Sequence, residues 1–244
     1  MTKFSVNVNK IALLRNSREG DFPNVLDFSQ QALDFGADGI TVHPRPDGRH
    51  IRYDDVGDLK TLLACFSGKE LNVEGYPTDD FLDLVCDIKP DQVTFVPDPP
   101  EALTSSFGWD VKENLSFLQT AIHKTQSVGV RTSLFIDSYF SDMDALVETK
   151  ADCVELYTGP YAHDYAFDSE KAVQPYVALA KKLRDTSILI HAGHDLNLEN
   201  TAFFLQKVFP IAEVSIGHAV ICDALVYGWE SAITQYRDSV INGN

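Results

Sequence analysis

The residues of this 244-residue chain best suited to chemistry fall into three groups. The first is the stretch from Gly36 to His50, where His43, Arg45, Arg49 and His50 crowd together with Pro44 and Pro46 between them. Proline has no N–H to give a sheet and fixes its own backbone, so a strand arriving at His43 must yield to a stiff loop. Several cationic or switchable groups on a braced loop suit an anion, most simply a phosphate. The second group is a pair of similar turns, Ala192-Gly193-His194-Asp195 and Ile216-Gly217-His218-Ala219. Glycine lets backbone N–H groups approach phosphate oxygens, and a helix beginning near His218 adds its positive end. One Gly-His pair would indicate no more than a tight turn; two in corresponding places point to phosphate. The third group is Glu74 and Glu155, each in an apolar run. A carboxylate between Val73 and Gly75 on the inward face of a strand costs several kcal/mol to bury unpaired, so Glu74 needs a cation, a proton or a substrate. Beside imidazoles, such a group becomes a usable acid or base. Glu155 fits the same role or that of a loop anchor.

Elements that could carry these groups follow from apolar periodicity and from Gly and Pro punctuation. Strands are predicted at 4–9, 39–43, 71–74, 92–96, 130–136, 153–157, 187–191 and 213–216. Helices are predicted at 24–35, 54–66, 111–128, 142–150, 168–184, 198–208 and 218–237, with another capped by Thr78 over Phe81, Leu82 and Val85. Residues 10–18 read as a short helical or irregular segment with three cations. Two stretches read as long loops, 97–110, which suits a lid or binding loop, and 158–167, rich in Tyr and His. Eight strands, nearly every one followed by a helix, at about thirty residues per unit, describe an α/β fold of the (β/α)8 TIM-barrel type with extra helices. A doubly wound open sheet fits less well, since no Gly-x-Gly-x-x-Gly follows the first strand. In a barrel, the strands' C-terminal ends build the site. Here they end in Asn7 and Asn9, Thr41 and His43, Glu74, Glu155, His191 before Gly193-His194, and Gly217-His218.

Composition narrows the functional classes. A formal net charge of -16 argues against nucleic acid or an anionic membrane surface as partner, so cations for an anionic ligand must be concentrated locally. Cys65, Cys86, Cys153 and Cys222 are widely spaced, without a Cys-x-x-Cys pair, which disfavours zinc and disulfide frameworks. No apolar run approaches twenty residues, no charged-then-apolar leader precedes the first strand, and no polar linker divides the chain. The expectation is a single cytoplasmic domain over 1–244.

The motifs Asn7-x-Asn9-Lys-Ile-Ala-x-Leu-Arg-Asn-x-Arg18, Gly36-Ala-Asp-Gly-Ile-Thr-Val-His-x-Arg-x-Asp-x-Arg-His50, Glu155-x-x-Thr-Gly-x-Tyr-Ala162, Ala192-Gly-His194 and Ile216-Gly-His-Ala219 closely resemble the pyridoxine 5'-phosphate synthase family, nearly end to end and in order. The resemblance implies a barrel enzyme of the transferase class that condenses 1-deoxy-D-xylulose 5-phosphate with 3-amino-2-oxopropyl phosphate, closing the pyridine ring of vitamin B6. It further implies no metal or organic cofactor and octamers built from dimers. By motif, His43 and Glu74 match the family's acid-base pair, His194 its proton donor across the site, and Glu155 a stabiliser of charged intermediates. Arg45, His50 and Thr104 match the holders of the deoxyxylulose phosphate; Asn7, Arg18, Gly217 and His218 match those of the aminoketone phosphate. Arg49 is given no role.

The chain departs from the family pattern in places. Asn9-Lys10 stands where many relatives read Asp-His, which makes Asn9 and Lys10 candidate substrate ligands. Asp195 replaces a Gly of some relatives, leaving its backbone N–H as the candidate ligand, and His191 occupies a position commonly Asn. Pro44, Pro46 and Pro100 stiffen loops. The competing readings are a metal-dependent barrel hydrolase using these histidines and Glu74, a Schiff-base aldolase using Lys10, and a non-catalytic sugar-phosphate-binding protein. Leu225, Val226, Tyr227 and Trp229 on the last helix suit either a dimer patch or the ordinary packing of an outer helix.

Overall fold

The structure is a computed structural model that describes residues 1–98, 102 and 105–243. Eight parallel strands close on themselves in chain order: β1 (Lys3–Asn7), β2 (Gly39–Val42), β3 (Glu70–Gly75), β4 (Gln92–Phe95), β5 (Arg131–Ile136), β6 (Cys153–Tyr157), β7 (Leu189–Gly193) and β8 (Glu213–Ile216). Among the described residues ten helices surround them: α1 (Asn9–Asn16), α2 (Val25–Asp34), α3 (Tyr53–Leu63), α4 (Asp79–Ile88), α5 (Leu115–Gln126), α6 (Met143–Thr149), α7 (Gly159–Leu183), α8 (Thr201–Lys207), α9 (His218–Tyr227) and α10 (Trp229–Gly243). The architecture is a (β/α)8 barrel. No helix among the described residues is long and apolar enough to cross a membrane.

Helix starts follow local chemistry. Asn24, Thr78 and Asp142 each accept a hydrogen bond from the backbone N–H three residues on, satisfying one of the donors that the first turn leaves unpaired. Several boundaries differ from those expected. Residues 159–167 are helical rather than a loop, because Pro160 sits in the first turn of α7, where its missing N–H costs nothing; the expected break survives as the non-helical Asp168 inside it. The closing helix expected over 218–237 is two, parted at Gly228 with φ 84°, a left-handed conformation that glycine adopts without steric penalty. β7 also lies two residues further along than expected, so His191 falls inside the strand and Gly193 ends it.

Alternation along each strand divides the two faces of the barrel wall. Phe4 faces outward and stacks on Tyr236 of α10, at 6.1 Å between ring centres. Ser5 faces inward and meets Thr41 at 2.7 Å. Instead of a layered aliphatic interior, the barrel is filled with polar side chains. Lys3 and Arg131 both pair with Glu70 at 2.5 Å. Arg131 Nε donates to Gln92 Oε1 at 2.8 Å, and Gln92 Nε2 lies 3.3 Å from His191 Nδ1. β4 and β7 are not neighbours, so this last contact crosses the interior. The apolar residues on the other face pack against the helices as one continuous core.

Glu213, beside His191 and Lys3 in the strand register, is buried in this interior. Burial first, then Glu70, push its carboxyl up to about 7, with Arg131 and Lys3 acting the other way. An unfolded glutamate titrates near pH 4.3. The folded chain therefore holds a proton that the unfolded chain releases between the two values. That contribution to stability is complete below the window and is lost as pH rises through it. Glu213→Gln is expected to leave stability little changed at pH 5 and to raise it by about 2 to 3 kcal/mol at pH 8, measured as the difference between denaturant midpoints at the two pH values.

Candidate active site

A cavity of about 360 Å³ opens at the C-terminal ends of the strands, a volume in the range of small-ligand sites. It is lined by Asn7, Asn9, Lys10, His43, Arg45, His50, Glu74, Glu155, His194, Asp195, Gly217 and His218. Twelve of the fourteen expected site residues thus share one wall. Arg18 is exposed and does not line the cavity, and Thr104 lies outside the described residues, as does Pro100. Val96, Ser105, Ser106, Phe135, Tyr157 and Ser215 also line it and were not anticipated. Tyr157 and Ser215 lie two residues along their strands from Glu155 and Gly217, so the period-two rule would have found them.

The middle of the cavity holds the proton-carrying groups. His43 directly follows β2, its backbone N–H fixed by Asn9 Oδ1 at 2.9 Å. Its Nδ1 stands 3.7 Å from Glu74 Oε2, adjacent but longer than a hydrogen bond. Burial, followed by Arg45, His50, Arg49 and His194, keeps the His43 imidazole well below its ordinary value, so the ring is neutral at physiological pH. Burial raises Glu74 to about 7, with His194 the largest opposing influence. Glu155 is pushed well above the carboxylate range by burial and then by Glu74 and Glu213. A neutral imidazole thus stands beside one carboxyl poised near neutrality, in a cavity that holds another carboxyl raised by burial. That set can both remove and deliver protons near pH 7.

Anion-binding groups flank this centre. On the β1–β2 side are Lys10, Arg45 and His50. Arg45 is buried and donates to Asp98 at 2.7 Å, and Ser105 Oγ donates to the same carboxylate at 2.7 Å. Arg49, exposed by comparison, donates to the backbone oxygen of Ala102 at 3.0 Å and pairs with Asp47. It therefore ties two loops together. On the β7–β8 side Gly217 precedes α9, whose first residue is His218. Next to it, His194 and Asp195 hold φ of 87° and 57°, a left-handed pair of non-glycine residues of the kind that persists where the surroundings enforce it. Thr158 does the enforcing, its backbone N–H and hydroxyl engaging the carbonyls of Gly193 and His194. His194 packs edge-on to Tyr157 and Phe135, and its contact with Asp195 holds that carboxyl below its ordinary value. Among the described residues no three His, Cys, Asp or Glu side chains are grouped to hold a metal ion.

A family model described as pyridoxal phosphate biosynthesis protein PdxJ matches residues 4–242. A curated protein of Parabacteroides distasonis named pyridoxine 5'-phosphate synthase is 49% identical over 237 residues, covering 97% of this chain and 98% of its own. One of the same name from Bacteroides thetaiotaomicron is 50% identical over 238 residues, covering 98% and 99%. Among solved structures, phosphoribosyl anthranilate isomerase from Thermotoga maritima has a TM-score of 0.60 at 12% identity, covering 99% of both chains. Tryptophan synthase from M. tuberculosis has a TM-score of 0.65 at 14% identity, covering 98% of this chain and 92% of that one. At such identities these two establish the barrel fold alone.

Gly193 makes room for Glu155, because a Cβ at that position would lie 2.2 Å from Glu155 Oε1. Gly193→Ala is expected to push the Glu155 carboxyl off its place and to lower turnover about tenfold or more. At Gly57 of α3 an added methyl meets nothing within 4 Å, and Gly57→Ala should leave turnover unchanged. Steady-state rates of the two variants, with a crystal structure of the first, check the pair.

Proposed function

The chain belongs to the PdxJ family of pyridoxal phosphate biosynthesis proteins, and from that membership we propose that it is a pyridoxine 5'-phosphate synthase. It joins 1-deoxy-D-xylulose 5-phosphate to 3-amino-2-oxopropyl phosphate, releasing phosphate and water. The observation that carries this reading is one cavity lined by groups suited to anions together with a neutral imidazole, 3.7 Å from one carboxyl of raised pKa, and a second such carboxyl. Two phosphorylated substrates need two anion sites. A condensation needs proton transfer at every step between them.

In this scheme Arg45, His50 and Lys10 hold the sugar phosphate. Gly217, His218, Asn7 and the backbone N–H of Asp195 hold the aminoketone phosphate, helped by the positive end of α9. The amine attacks the ketone, and the new carbinolamine loses its hydroxyl as water once that oxygen is protonated. Glu74, near neutrality, supplies such a proton and can take one back. His43, uncharged, accepts a proton from carbon as the second bond forms. His194 donates from the opposite wall, and Glu155 stabilises the charged intermediates. Asn9 acts through the backbone of His43. Arg18, exposed outside the cavity, is left without a role, and Thr104 remains a proposed phosphate ligand on motif grounds alone.

The octamer built from dimers, expected from the family, is part of the same proposal. It is supported by exposed apolar side chains on two neighbouring helices, Leu13 and Leu14 of α1 with Leu225, Val226 and Tyr227 of α9. Light scattering should report eight chains per particle. Leu225→Glu with Val226→Glu should reduce that number.

Incubation with both substrates in the presence of a chelator is expected to yield pyridoxine 5'-phosphate. Glu74→Gln should lower kcat by about 10² to 10⁴ while KM stays within a few fold. A sugar-phosphate sensor would instead bind its ligand equally well in both forms and turn over in neither, which ligand titration beside product analysis would reveal.

A further inference from the structure

His50 is held at both its side chain and its main chain. Its Nδ1 accepts the backbone N–H of Ile51 at 2.9 Å. A ring nitrogen that accepts a hydrogen bond carries no proton, so the hydrogen of the neutral ring resides on Nε2. Burial, with Arg45, Lys10 and Arg49 nearby, pulls the ring down to about 4, and His50 is uncharged at physiological pH. The imidazole is thus a single directional donor rather than a diffuse cation. Its value to a phosphate depends on where the ring is aimed.

The aim is set from another helix. The carbonyl of His50 accepts Arg15 Nη2 at 3.2 Å and Asn16 Nδ2 at 2.7 Å. Arg15, only 3% exposed, spans to Asp55 with two hydrogen bonds of 2.7 and 2.9 Å. Asp55 Oδ2 in turn accepts the backbone N–H of Arg52 at 2.8 Å, where α3 begins. The end of α1 is therefore bolted to the start of α3, with His50 on the loop between. A guanidinium buried this deeply gives little net stability, because desolvation cancels much of the attraction to its carboxylate; what such a pair supplies is a defined geometry. Lysine could not reproduce it, since only the planar fork reaches a carboxylate in two places and a carbonyl at once.

We propose that Arg15, clamped by Asp55, is a positioning residue that fixes the His50 main chain so that Nε2–H points at the phosphate of the sugar substrate. The inference rests on the reading that His50 takes that phosphate. Arg15 touches neither substrate, and its effect passes through His50.

The test is steady-state kinetics of the full chain, varying each substrate in turn, for Arg15→Met, Arg15→Lys, His50→Gln and the double variant Arg15→Met with His50→Gln. In both Arg15 variants KM for 1-deoxy-D-xylulose 5-phosphate should rise about tenfold. KM for the aminoketone phosphate and kcat should stay within about threefold. In the His50→Gln background, Arg15→Met should add little, because both changes remove one interaction. Equal losses in both KM values and kcat, or effects that multiply in the double variant, would mark Arg15 as merely structural and overturn the proposal. If His50→Gln leaves KM for the sugar phosphate unchanged, the phosphate reading of His50 fails and the proposal falls with it. Should Arg15→Met yield no soluble protein, Asp55→Asn, which keeps an acceptor but removes the charge, is read against the same split in KM.

Discussion

A closed barrel of eight parallel strands must fill its own interior, and here that interior is filled with ionisable groups removed from water. Everything about the site depends on how those charges are matched. At the N-terminal end of the barrel Glu70 is answered by Lys3 and Arg131, and it remains ionised despite its burial, held below its ordinary value by those cations. Toward the other end Glu74 has the uncharged His43 imidazole at 3.7 Å, and no Lys or Arg pairs with Glu74 or Glu155 among the described ion pairs. Desolvation dominates there and both carboxyls move up. Glu70 and Glu74, four residues apart on β3, are thus a fixed charge below and a carboxyl of raised pKa above.

That gradient explains why the chemistry sits where it does. On the floor the Glu70 charge costs little because parallel registry sets its surroundings, Glu70 beside Gly39 and Gln92 beside Arg131, while Glu213 at the same level is left raised to about 7. The roof is costly, and a carboxyl of raised pKa is the residue of that cost. Gly193 belongs to the same economy of space, since without a side chain at that point the Glu155 carboxyl can remain folded against the strand end.

Much of this was legible in the sequence, and the reasons for the exceptions are specific. Strand-to-strand alternation and the Gly and Pro punctuation marked all eight strands. The groups carrying charge at strand ends identified themselves by type. Helix 159–167 was hidden because Pro160 reads as a breaker, although in a first turn it is a starter. The break at Gly228 was hidden because apolar residues run on at both sides. Phe135, Val96 and Ser105 are of types too common to stand out, and only the closed barrel brings them to the cavity. Arg15 read as one of three cations in an irregular stretch. Its partner Asp55 is forty residues away, and no local pattern announces a pairing at that distance.

The groups proposed to hold the two phosphates differ in kind, and in the proposed function this bears on the acid-base centre beside them. On the β7–β8 side the donors are backbone groups and a helix end, which are fixed dipoles and respond little to what binds. On the β1–β2 side Lys10 and Arg45 bring full charges beside the uncharged His50. Arg45 and Arg49 are among the groups that, after burial, hold His43 below its ordinary value. In the proposed function a phosphate dianion held by Arg45 adds negative charge near His43 and so opposes part of that lowering, which raises the basicity of the imidazole. In that reading the cation that binds the substrate also tunes the base, with burial the largest influence on it. His43 and Arg45 stand two residues apart, at the point where the strand becomes a proline-stiffened loop, so in that reading binding and proton transfer share one short segment without any moving part.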